Sequence, residues 1–161
     1  MGEMVEEKTD RKTGYRTSML IGFRRMIKLH EAMLKEVCQK YQLTQIEGSI
    51  ISFLHNNPGK DTAADIVDLR MLSKGNVSQA VDSLMQRSLL KREPDQQDRR
   101  KIHLFLQQEA EPVIRDIEQM QIHYSEELFA GLSEEEWEQF QRMNDKIMEN
   151  VANAVKRREG L

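Results

Sequence analysis

The chain has one cysteine, three prolines and eight glycines in 161 residues. A lone cysteine excludes a disulfide framework. So little proline and glycine excludes both a turn-rich β-sandwich and a disordered chain. Aromatic residues are only 6% of the total. No apolar run approaches the ~18–20 residues of a membrane span. The charged stretch Met1 to Lys12 lacks the apolar segment of a signal peptide. What is present favours helix: ten methionines, with 32% charged residues against 39% apolar. The length suits about one domain with its own core. These features predict a mostly α-helical, soluble, cytoplasmic protein with no membrane partner.

The net charge of −3 hides an uneven distribution. Residues 1–69 are balanced, residues 70–106 carry net +4, and residues 107–161 carry net −7. A basic middle beside an acidic end suits an anionic partner that meets only the middle.

Hydrophobic spacing predicts a long helix from about Tyr15 to Tyr41, after a loose polar tail over residues 1–14. Its seam runs Leu20, Phe23, Ile27, His30, Leu34, Val37, Tyr41, in steps of three and four. Thr44 and Glu47 form a capping box ahead of a second helix with Ile46, Ile50, Phe53 and Leu54 inward. Thr62 caps a short third helix with Ile66, Val67 and Leu69 inward. Ser73 caps a fourth, with Val77, Val81 and Leu84 on one side. These two short helices, joined through Arg70 to Ser73, make a helix-turn-helix. Residues 89–106 read as a β-hairpin with a charged tip. Two further helices follow, from about Pro112 to Ala130 and from a capping box at Ser133–Glu136 onward. The seam of the first runs Val113, Ile117, Met120, Tyr124. That of the second runs Trp137, Phe140, Asn144, Ile147, Val151, Ala154. The first, fifth and sixth helices carry seams too long for a core of this size, which predicts a homodimer.

With one face of the fourth helix buried, Lys74, Asn76, Ser78, Gln79 and Asp82 lie opposite, beside the capping Ser73. Asparagine and glutamine match adenine edges, and lysine reaches guanine or phosphate. Arg99, Arg100 and Lys101 at the hairpin tip suit the negative potential of a narrow minor groove. Asp98 would repel phosphate but can hold an arginine by a charge-assisted bond. Thr62 and the amides at its helix start are candidate phosphate contacts. Double-stranded DNA is therefore the expected partner.

The segments Leu43-Thr44-Gln45-Ile46-Glu47, Ser73 through Leu84, and Asp95-Gln96-Gln97-Asp98-Arg99-Arg100 leading to Leu104-Phe105-Leu106 resemble the MarR family of winged-helix transcription regulators. The likeness covers about residues 16–155. It implies a dimerisation helix over 15–43, a winged helix-turn-helix DNA-binding lobe over 44–106, and C-terminal dimerisation helices over 107–161. It also implies a hairpin Asp orienting an Arg, here Asp98, and a pocket for a small-molecule effector. His30, Tyr41 and His123 are candidates for that pocket. Two positions depart from the family pattern. Ser88 replaces the usual glycine before the hairpin, and Gln107 replaces a threonine that would cap the next helix. Pro112 then predicts that this helix starts late or bends.

The combined expectation is a sequence-specific homodimeric repressor released by a small ligand, binding a pseudo-palindromic site. The competing reading is a helical dimeric interaction module without DNA binding. No Gly-rich phosphate loop, paired catalytic carboxylates or Cys/His dyad points to an enzyme. Four dispersed histidines and the lone Cys38 suggest neither a metal nor a redox site, and no cofactor is expected.

Overall fold

The computed structural model describes the backbone of residues 2–70 and 72–159, and side chains over 18–70 and 72–158. The elements are α1 (Gly2–Lys40), α2 (Gln45–Asn56), α3 (Ala63–Arg70), α4 (Lys74–Gln86), β1 (Leu90–Pro94), β2 (Ile102–Leu106), α5 (Glu111–Leu128) and α6 (Glu134–Glu159). This is a mostly α fold: a helix-turn-helix followed by a two-stranded hairpin, with long helices before and after. The chain divides into two units, Met1–Tyr124 and Ser125–Leu161.

Helix α1 starts at Gly2, so the segment read as a tail is helical backbone. Residues 2–14 lack an apolar period, which is the signal that reading used. Their Glu, Lys, Arg and Met nevertheless favour helix on propensity alone.

The first unit is organised by caps. Thr44 Oγ1 accepts the Glu47 amide at 3.2 Å while Glu47 Oε2 accepts the Thr44 amide at 2.6 Å. Ser73 Oγ accepts the Asn76 amide at 3.2 Å. Between these helices lies a core of Ile50, Ile51, Phe53, Ile66, Val77, Val81 and Leu84, joined by Leu34 of α1 and Ile117 of α5. Leu69 departs from expectation and is 53% exposed. Helix α3 has only about two turns, so its last turn runs past the core and Leu69 lines an open cleft.

Glu47 is 4% exposed, and Ser83 of α4 donates a short hydrogen bond to its Oε1. Burial alone would raise its pKa. The bonds from Ser83 and Thr44 reverse that and hold it below the ordinary value. One buried carboxylate thus caps α2 and ties it to α4.

Gly48 lets α1 and α2 approach closely. A methyl group there would meet Cys38 Sγ. Cys38 is 2% exposed, and burial pushes its thiol pKa up, which disfavours the reactive thiolate. Gly48→Ala is expected to cost ~1–3 kcal/mol through overpacking. Adding Cys38→Ala should return most of that loss. Urea melts of the single and double variants check this, and equal losses in both would contradict the contact.

Ser88 sits at φ 58, the left-handed region that its position before the hairpin demands. The hairpin is antiparallel, pairing Leu90 with Leu106 through to Pro94 with Ile102. After it, Gln107 provides no side-chain cap, a 3-10 turn covers Gln108–Ala110, and α5 follows with Pro112 in its first turn. The helix therefore starts late, as the missing cap predicts.

In the second unit, Ser133 and Glu136 form the expected capping box. The rings of Phe129, Trp137 and Phe140 cluster, with Phe129 and Trp137 centroids 4.4 Å apart. Phe140, Met143, Ile147 and Val151 remain exposed along α6. Among the described residues, no helix is long and apolar enough to cross a membrane.

Candidate nucleic-acid interface

Helix α4 buries Val77, Ala80, Val81 and Leu84 and leaves Ser73, Lys74, Asn76, Ser78, Gln79 and Asp82 exposed. The buried row fixes the helix's rotation, so the polar flank faces outward as a set. Lys74 and Ser78 border a cleft of about 580 Å³ whose other wall is the hairpin, with Arg92, Pro94 and Ile102, and whose floor includes Ala63 and Ala64 of α3. Asn76 and Gln79 instead border a smaller hollow of about 260 Å³ against Thr44 and Glu47. Of this flank, Lys74 and Ser78 thus share a concave surface with the hairpin.

Asp82 does not stand free on this flank. Its Oδ1 lies 2.7 Å from Arg92 Nη2. Strand alternation puts Arg92 on the same face of the hairpin as Leu104, turned toward α4. The pair latches hairpin to helix. Thr62 is also engaged: its hydroxyl donates to Asp65 Oδ2 at 2.6 Å and accepts the Asp65 amide, and its own amide donates to the same carboxylate. That leaves Thr62 no free donor, and puts a carboxylate at the start of α3.

The hairpin tip is built on two aspartates. Asp95 Oδ1 accepts the amides of Gln97 at 2.8 Å and Asp98 at 2.7 Å. These bonds, the Asp98 amide first, and then His103 hold its carboxyl at about 2. Asp98 Oδ1 in turn accepts the Arg100 amide at 3.1 Å and its Nε at 3.2 Å. The carboxylate that sequence reading assigned to orienting an arginine meets Arg100. The pair is exposed and of little worth to stability. Its effect is to aim a guanidinium that is itself 93% exposed. Arg99 and Lys101 are exposed beside it.

His103 carries a role that sequence reading missed. Its Nδ1 lies 2.6 Å from Asp61 Oδ1 and its Nε2 lies 3.1 Å from Asp95 Oδ2. The Leu104 amide donates to the Asp61 carbonyl at 2.8 Å, and Thr62 bridges to His103. Strand β2 is thereby fastened on its free edge to the α2–α3 link.

A second cleft of about 580 Å³ lies among α1, α2, the last turn of α3 with Leu72 beyond it, and α5. His30 lines it, with Glu31, Ser49, Leu69, Arg70 and Tyr124. His30 and Tyr124 meet edge to face at 5.2 Å. Burial and then the charge of Arg70 lower the His30 pKa, so the ring is neutral near pH 7. Arg70 places its guanidinium 5.8 Å from the Phe53 ring centre, and its Nε is buried with no hydrogen-bond partner among the described residues. Tyr41 does not line this cleft. Its hydroxyl is 2.9 Å from Asp116 Oδ2 and 3.0 Å from the Pro112 carbonyl. His123 is exposed, one position before the tyrosine that does line it.

Residues 41–101 match the family model described as MarR family. Solved structures with the same fold include a MarR transcriptional regulator from Methanosarcina mazei Go1. It is 15% identical with a TM-score of 0.71, over 84% of this chain and 97% of that one. The MepR–DNA complex of S. aureus is 20% identical with a TM-score of 0.64, over 80% and 93%. BpsR of Bordetella bronchiseptica, whose DNA binding is regulated by 6-hydroxynicotinic acid, is 20% identical with a TM-score of 0.60, over 83% and 98%.

Proposed function

From the premise that this chain carries the winged-helix lobe of the MarR family, we propose that it is a homodimeric, sequence-specific regulator of transcription that binds double-stranded DNA. The observation that carries this reading is the shared cleft: Lys74 and Ser78 of α4 on one wall, the cation-tipped hairpin on the other. A duplex laid there meets α4 in a major groove and Arg99, Arg100 and Lys101 in the flanking minor groove. Ser73, Asn76, Ser78 and Gln79 supply base-edge or phosphate contacts, and Asp98 sets the reach of Arg100. Asp82 and Thr62 act by holding the hairpin and α3 in place.

The dimer is supported by apolar side chains left in water within each unit. Leu20 and Ile27 are 59% and 58% exposed, and Met143 and Val151 are 58% and 50% exposed. A second copy is the occupant such seams fit, and a twofold dimer presents two α4 helices about 34 Å apart. A dimer that covers an inverted repeat represses by occupying it. The cleft beside His30, Arg70 and Tyr124 is where a small effector would fit and release it. Tyr41 and His123 remain outside that cleft.

Selection of bound duplexes from a random pool tests the function directly. The expected result is an enriched inverted repeat with half-sites one helical turn apart. Affinity for it should fall steeply with salt, with a slope near −0.9 per phosphate contact. A pool that shows no enrichment would reject the DNA-binding reading.

A further inference from the structure

We propose that His103, held as an imidazolium, is the positioning residue of the hairpin tip: it ties the tip to the α2–α3 link, and loss of its proton frees the tip from its DNA-reading pose. This rests on the DNA-binding reading above. Both ring nitrogens face carboxylates, Asp61 at 2.6 Å and Asp95 at 3.1 Å. An ionised carboxylate only accepts, and a neutral imidazole has a single N–H. Both contacts hold together only when both nitrogens carry protons.

The surroundings agree in sign. Asp61 faces the ring from the link and Asp95 from the hairpin loop. Glu93 is its cross-strand neighbour on β1, and Asp65 in the first turn of α3 feels its charge. The nearby cations serve other acids: Lys91 pairs with Glu93 at 2.5 Å, and Lys60 acts on Asp65. The hydrogen bonds to Asp61 first, and then to Asp95, raise the His103 pKa above its ordinary 6.5.

A relay of side chains leads from the ring to the tip. His103 holds Asp95, Asp95 holds the Gln97 and Asp98 amides, and Asp98 holds Arg100. The direction of the pH effect follows. The folded pKa is raised, so the clasp is complete below 6.5 and is lost as pH climbs through the raised value. Protonation that favours DNA binding implies that DNA, in return, favours protonation.

Two experiments decide this. In the full chain without DNA, the His103 ring signals followed by NMR should titrate with a midpoint above 6.5. The Gln97 and Asp98 amides should move with the same midpoint. At fixed salt, affinity for the selected inverted repeat should fall at least about fivefold between about pH 6 and about pH 9. His103→Gln should bind with a flat profile over that range, and Asp61→Asn should shift the fall to lower pH. A ring midpoint at or below 6.5, tip amides that ignore the ring, or parallel profiles for His103→Gln and the unaltered protein would each overturn the proposal. The titration of the unaltered chain stands even if a variant fails to fold. If no duplex is recovered by selection, the DNA reading fails, and that titration alone decides whether the clasp holds the tip.

Discussion

Replacing both Arg99 and Arg100 by alanine is expected to weaken binding of the selected duplex by ~2–6 kcal/mol, at about 1–3 kcal/mol for each arginine. The two side chains are exposed at the tip, so their loss costs the fold little. The salt slope should shrink by about one unit for each phosphate contact removed. Asp98→Asn makes the complementary case. It keeps both cations but weakens the bond that aims Arg100. Its loss should be smaller, about 1 kcal/mol, with the salt slope unchanged. Gel-shift titrations across salt separate the two. Unchanged affinity in the double arginine variant would remove the hairpin from the interface.

The second large effect concerns the seam on α6. Ile147→Glu with Val151→Glu should convert the protein from dimer to monomer in sedimentation. Affinity for the full inverted repeat should drop by roughly 10²–10⁴-fold, because the second lobe no longer binds as part of the same molecule. Both positions are exposed within the protomer, at 43% and 50%. Helix content should therefore be unchanged, and circular dichroism checks that. A single half-site should be bound equally by the variant and the unaltered protein. A variant that stays dimeric places the contact elsewhere, and an unaltered protein that sediments as a monomer rejects the dimer outright.

Much of the fold was legible because its signals are local. The capping boxes at Thr44 and Ser133 each involve residues three apart, and both form as the sequence requires. The hairpin alternation and the late start of α5 are equally short-range. What escaped was set by distant partners. The link between His103 and Asp61 spans 42 positions and cannot be read from either neighbourhood. Asp82 sits on the outward side of α4, as read, yet β1 brings Arg92 to it. His123 was chosen for its chemistry, but successive helical residues point about 100° apart, and Tyr124 is the one that turns into the cleft. The start of α1 was missed for the opposite reason, since propensity alone carries those residues without any apolar period.

The hairpin tip closes through main-chain atoms: the Asp95 amide to the Lys101 carbonyl at 3.0 Å, and the Lys101 amide to the Asp98 carbonyl at 2.8 Å. The side chains of Gln96, Gln97 and Arg99 take no part in either closure. Those three positions form a replaceable cassette on a fixed frame. If the tip reads DNA as proposed, altering these three side chains should redirect it toward other flanking sequences at little cost to the scaffold that displays them.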